Sequence, residues 1–133
     1  MVNKAAINNA QIIKNKLSTV ELLSNGIVYI YYHENALLKS EDFDDVVAAY
    51  KQLSHNKPLK VLSEFGAYAT ATPAARKHAA LVRVSCIAEA AVFKGLAQRM
   101  LLKFHILLRK QPHPFKIFQS KQNAINWLNS KTN

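Results

Sequence analysis

The order of periodic segments constrains this chain more than any single residue. Asn25-Gly26 separates two β-rich runs, residues 18–24 and 27–33. Asn-Gly between alternating apolar residues signals a tight hairpin, because a type I′ turn needs positive φ at both central positions. Beyond the hairpin, helical and strand patterns alternate up to a terminal helix ending at Trp127-Leu128. Strands that alternate with helices pair in parallel through right-handed crossovers, whereas a hairpin pairs antiparallel. The pattern predicts an α/β fold: a mixed sheet of about five strands with about four helices packed on it.

Local chemistry places the elements. Ser40 is a helix cap followed by Glu41, Asp42, Asp44 and Asp45, carboxylates that the helix dipole favours in the first turns. Phe43, Val46, Val47, Tyr50 and Leu53 then recur at helical spacing as a one-sided stripe, which His55-Asn56-Lys57-Pro58 ends. Residues 59–65 read as a strand. Thr72-Pro73 starts the next helix, with a capping hydroxyl and then a proline where its missing N–H costs nothing. The short apolar run 87–93 is a buried strand, although Ala-Glu-Ala-Ala suits a helix equally. A long helix runs from Gly95 to about Lys110 and stops at Gln111-Pro112-His113-Pro114. Residues 115–119 form the last strand, and Ser120 caps a helix whose Ala124, Trp127 and Leu128 face inward. Residues 1–17, rich in Asn and Lys, are an N-terminal extension, and 18–133 a single domain.

Composition matters chiefly through charge. The formal net charge is +10, and it is lopsided. Residues 1–89 hold ten basic and eight acidic side chains, whereas the last 44 residues carry eight basic ones and no carboxylate. Such a segment attracts phosphates, anionic lipid or an acidic protein face over about a Debye length. Basic residues dispersed along helices also serve solubility alone, and here they are spaced rather than clustered. Half the residues are hydrophobic, as in a globular domain, and the single cysteine excludes an internal disulfide and suits a reducing compartment. No run approaches the ~20 apolar residues of a membrane span, and the first residues lack a signal peptide's apolar core. The expected location is the cytoplasm.

Three stretches, LLSNGIVYIYY at 22–32, LKVLSEFGAYATATPAARKHA at 59–79 and FKIFQSKQNAINWL at 115–128, together with the β-β-α-β-α-β-α-β-α order, resemble the STAS domain of SpoIIAA-like fold. More narrowly the chain is similar to small bacterial STAS/SEC14-like proteins of uncharacterised role. The resemblance covers roughly residues 18 to 130. It implies a regulatory, protein-binding module that switches on phosphorylation of a Ser at a helix start. On that pattern Ser63 occupies the strand-ending Asp position, Gly66 the loop glycine and Thr72 the phosphorylatable position. Ala71 replaces the Asp before it, and Pro73-Ala74 replace the Ser-Gly after it. A phosphate on Thr72 would meet a helix N-terminus with Arg76 and Lys77 nearby; without one, Thr72 is a helix cap worth about 1 kcal/mol. The loop 66–71 is the expected binding edge, since open α/β sheets bind at the carboxyl ends of their strands.

The helix from Gly95 offers a second candidate surface. Leu102 and Ile106 fall within its polar arc beside Arg99, Lys103 and Arg109. They mark a dimer interface, an acidic partner's docking site or a lipid contact, unless another segment of the chain covers them. Chemistry-bearing patterns are sparse. The histidines at 33, 55, 78, 105 and 113 lack metal-ligand spacing, Cys86 has no Cys partner, and three glycines build no phosphate cradle. Cys86 with His78, and Glu64 with Glu89, are the pairs left to consider. The expectation is a non-enzymatic protein without metal or cofactor that docks a protein partner or itself as a homodimer. The alternatives are a carrier of a small apolar, anionic or lipid ligand, as the SEC14-like half of the resemblance implies, and, less favoured, a basic nucleic-acid binder.

Overall fold

The computed structural model describes residues 11–82, 84–93 and 112–131. In chain order these form β1 (Ile12–Lys14), β2 (Ser18–Leu22), β3 (Ile27–Tyr32), β4 (Leu37–Leu38), α1 (Ser40–Ser54), β5 (Leu59–Phe65), β6 (Thr70–Ala71), α2 (Pro73–Leu81), β7 (Cys86–Val92), β8 (Phe115–Phe118) and α3 (Lys121–Asn129). Six strands make one mixed sheet in the order β1-β2-β3-β5-β7-β8, and β4 pairs with β6 in a separate two-stranded parallel sheet. The pairs β1–β2 and β2–β3 are antiparallel, and β3–β5, β5–β7 and β7–β8 are parallel.

The hairpin-then-crossover reading is therefore right, with one strand added. Ile12–Lys14, within the segment taken as an extension, pairs antiparallel with β2. Three helices occur among the described residues; the helix expected from Gly95 to about Lys110 lies outside them.

The hairpin turn differs from the I′ expectation. Only Gly26 has positive φ, +84°. The Leu23 carbonyl accepts from the Gly26 N–H, and the Leu23 N–H donates to Ile27. That is a three-residue loop closed by a glycine bulge, and Asn25 steadies it by accepting the Ile27 N–H at 3.2 Å. The α1 cap differs too. Lys39, with extended backbone, is the N-cap, Ser40 opens the helix, and the Asp42 carboxylate reaches back to the Lys39 N–H at 2.8 Å. At α2 the expected cap holds: Thr72 Oγ1 accepts from the Ala75 N–H at 3.0 Å, with Pro73 following.

The strand order never reverses, so right-handed crossovers place successive helices on the same face. Helices α1 and α2 accordingly cover one side, where Val28, Ile30, Tyr32, Val61 and Phe65 of the sheet meet Phe43, Val46 and Tyr50. Helix α3 follows the last strand and covers the other side, with Ala124 and Leu128 on Ile27, Leu62, Ala90 and Val92. Fully burying side chains such as Leu62 or Leu128 contributes about 1.5–3 kcal/mol each. On the α1/α2 face Tyr32 stacks on Phe65 with ring centroids 4.5 Å apart, and Phe93 meets Phe65 at a tilt with centroids 5.0 Å apart.

Candidate functional site

Among the described residues, chemistry gathers at the carboxyl edge of the sheet and in a cavity under α1 and α2. The edge forms because β3 and β5 are parallel neighbours, so the segments that follow them leave the sheet side by side. Backbone hydrogen bonds tie these segments together, Asn35 N–H to Ala67 O at 2.8 Å and Thr70 N–H to Ala36 O at 2.9 Å. Gly66 sits where they touch. A Cβ there would lie 2.6 Å from the Glu34 nitrogen and 2.8 Å from the Tyr32 carbonyl oxygen, so only glycine fits without displacement.

On this support Tyr68 is held with φ of +62°, a left-handed conformation uncommon for a bulky residue, and its side chain is 67% exposed. Leu37, on β4, is 51% exposed. Thr72 caps α2, Arg76 donates to the Ala71 carbonyl at 2.7 Å, and Lys77 is exposed. Gly66 thus lies in the loop that follows β5, and Thr72, Arg76 and Lys77 at the start of α2. Ser63 does not join them. It lies two residues before the end of β5 with 4% exposure, facing the α1/α2 side of the sheet. Arg99, Leu102, Lys103, Ile106 and Arg109 lie outside the described residues. Sequence reasoning missed Leu37 and Tyr68, because exposure of an apolar residue depends on what the fold leaves uncovered.

The cavity, about 90 Å³, is the second place. Its apolar wall comes from Ile30, Val61 and Phe65 of the sheet and Phe43, Val46 and Val47 of α1. Ser63, Tyr32, Tyr50, Glu89 and His113 bring polar atoms to it. His113 and Glu89 are bonded, Nε2 to Oε1 at 3.0 Å, with side chains 6% and 17% exposed. Cys86 completes the group: its Sγ, a Glu89 carboxylate oxygen and a His113 ring nitrogen all lie within 4.8 Å of one another.

A bulge makes this convergence possible. Residues three apart on a regular strand point to opposite faces. Between β5 and β7 the register slips at Leu59/Lys60, which pair with Cys86 and Ala88. Ile87 and Ala88 both turn toward α3, so Cys86 and Glu89 share the opposite face. Burial, and then the Glu89 charge, push the Cys86 thiol well above its ordinary range, so it is protonated at neutral pH. The Tyr32 hydroxyl is raised for the same two reasons. Tyr50 fixes the neighbourhood, donating to the Ser85 carbonyl at 2.7 Å and accepting from the Leu59 N–H at 3.0 Å.

The pairs that the sequence left to consider are rearranged. His78 bonds Asp44 on the surface at 2.7 Å, while Cys86 lies with Glu89 and His113. Glu64 receives the Tyr29 hydroxyl on the α3 side of the sheet, and Glu89 faces the cavity on the other side, so the two carboxylates do not converge. The sequence offered no metal-binding set, and the fold brings one candidate group together at Cys86, Glu89 and His113. Three donors of suitable type do meet, from positions whose spacing resembles no motif.

Comparisons with known proteins place the architecture. The family model described as a domain of unknown function, DUF7793, matches residues 21–132. No curated protein matches the sequence. Among solved structures, the chain is similar to an uncharacterized protein from the DUF3478 family with a SpoIIAA-like fold, from Shewanella loihica PV-4. The two are 15% identical with a TM-score of 0.57, over 88% of this chain and 90% of that one. The fold is SpoIIAA-like, and among the described residues no helix is long and apolar enough to cross a membrane.

Proposed function

The chain belongs to the DUF7793 family of unknown function, and on that premise we propose that it is a non-enzymatic regulatory module of STAS type, acting in the cytoplasm. It docks a partner protein through residues 66–76. The observation that carries this reading is Tyr68, exposed and held in left-handed backbone on a loop hydrogen-bonded to its neighbour. A bulky residue in that conformation costs of order 1 kcal/mol or more, which the anchored edge sustains. Tyrosine is also a common anchor of protein interfaces, having a large apolar body with a polar tip and little rotamer entropy to lose. Thr72 sits at the same edge, where a phosphate would alter both charge and shape.

The test is a photo-crosslinking residue at position 68 in the native host, followed by titration of the purified captured protein against wild type and Tyr68→Ala. The expected result is a discrete adduct and an affinity lowered at least tenfold by Tyr68→Ala with unchanged Tm. An adduct of twice the chain mass identifies the partner as a second copy. Absence of an adduct, or equal affinities, overturns the reading.

The second reading is a carrier of an apolar ligand of only a few heavy atoms with one polar group, the size that a cavity of about 90 Å³ admits. Native mass spectrometry of protein purified from its host decides it. A stoichiometric adduct that is lost on denaturation supports the carrier, and a bare chain refutes it.

A further inference from the structure

We propose that Cys86, Glu89 and His113 form a binding site for a divalent transition metal of the zinc type, with its remaining coordination position open to the cavity. This goes beyond the docking reading and does not depend on it.

The donor set selects the metal. Thiolate, imidazole and carboxylate are the three zinc ligands of proteins, and a sulfur donor argues against magnesium and calcium, which take oxygen. The separations fit. Tetrahedral zinc with its usual bond lengths holds ligand atoms about 3.4–3.6 Å apart. Here all three donors fall within 4.8 Å of one another, with the Glu89–His113 contact at 3.0 Å, close to the separations that a bound zinc requires. Two features of the fold hold the donors in place. The β7 bulge turns Cys86 and Glu89 to one face, and bulges recur beside functional sites, where they re-aim a side chain. Pro114 accepts the Glu89 N–H at 2.9 Å, which fixes the segment carrying His113 against β7.

Charge completes the argument. One thiolate and one carboxylate neutralise a divalent cation, so the loaded site carries no net charge in its poorly solvated position. Binding forms the metal–sulfur bond, and the thiol proton leaves to solvent. Three protein ligands, rather than four, characterise sites that keep a position for water or a ligand. Two of the three donors, Glu89 and His113, also line the cavity bordered by Ser63 and Tyr32, from which a fourth ligand would approach.

The experiment uses the full chain, stripped with chelator, and titrated with Co(II) and then Zn(II). Cys86 is the only cysteine of the sequence, so a thiolate-to-cobalt charge-transfer band reports this site alone. The expected result is a band saturating at one equivalent and bleached by Zn(II). Calorimetry with zinc chloride should show affinity falling at least 100-fold in Cys86→Ala and His113→Ala, and unchanged in His78→Ala. Absence of the band in wild type overturns the proposal, whatever the variants do. Zinc binding that survives Cys86→Ala, or that is lost in His78→Ala, also overturns it.

Discussion

Replacing Gly66 by alanine adds one methyl group at the contact between the segments that follow β3 and β5. The new Cβ would lie 2.6 Å from Glu34 N, 2.8 Å from the Tyr31 hydroxyl and 2.8 Å from Tyr32 O. Atoms of these kinds normally stay near 3.5 Å from carbon. The Tyr31 hydroxyl ends a side chain that can swing away. The other two atoms are backbone, and Tyr32 O accepts the Gly66 N–H at 2.8 Å, so relief of the clash stretches that bond. Overpacking of this kind costs about 1–3 kcal/mol, and weakening the hydrogen bond adds up to about 1 kcal/mol. The lower entropy of an unfolded alanine chain returns about 0.4–1 kcal/mol. The middle of these ranges gives a net loss of about 2 kcal/mol. With about 2.1 cal/mol/K of unfolding entropy per residue over 133 residues, Tm falls by roughly 7 °C. Gly26→Ala is the control, because no atom lies within 4 Å of a Cβ there and only the φ of +84° opposes it. That costs about 1 kcal/mol, or roughly 4 °C. Differential scanning calorimetry of the two variants checks the reasoning. A Gly66→Ala transition within 2 °C of wild type, or a smaller drop than that of Gly26→Ala, refutes it.

Thr72→Ala removes the side-chain acceptor of the Ala75 N–H and should cost about 1 kcal/mol, with Thr72→Ser restoring most of it; chemical denaturation reads both. Tyr50→Phe strips the partner from the Ser85 carbonyl and the Leu59 N–H together, for an expected loss of about 1–3 kcal/mol by the same assay. The thiol of Cys86 is raised by burial and by Glu89, so above about pH 8.5 the unfolded chain gives up a proton that the native chain retains. Stability contributed by this group is full below that pH and declines above it, by at most about 1.4 kcal/mol per pH unit, and Cys86→Ala should flatten the alkaline limb of a urea-denaturation series. The same protonated thiol should alkylate with iodoacetamide at pH 8 far more slowly in native protein than in urea.

Local signals settled most of the element list. Residues 59–65 and the Thr72-Pro73 start were legible because periodicity, caps and proline act over a few neighbouring residues. The chain order of strands and helices was legible for the same reason, and with it the mixed sheet. The candidate edge was half legible. Gly66, Thr72, Arg76 and Lys77 lie within one short stretch of chain, whereas Ser63 belongs to the sheet interior, and the exposure of Tyr68 and Leu37 is decided by packing that no local pattern records.

What only the tertiary structure decided involves partners distant along the chain. Ile12–Lys14 is too short to form a strand alone, and becomes one by completing hydrogen bonds along the free side of β2. Asn25-Gly26 was a sound turn signal, yet whether Gly26 sat within an I′ turn or in a bulge depended on which residues of β2 and β3 paired. The β7 bulge exists only relative to β5, and it turns two residues three apart onto one face. His113 then arrives from 24 positions beyond Glu89 because β8 pairs beside β7. Short-range preferences thus chose the pieces. Which side chains meet was set by backbone pairing between strands that the chain brings together only after its crossovers are complete.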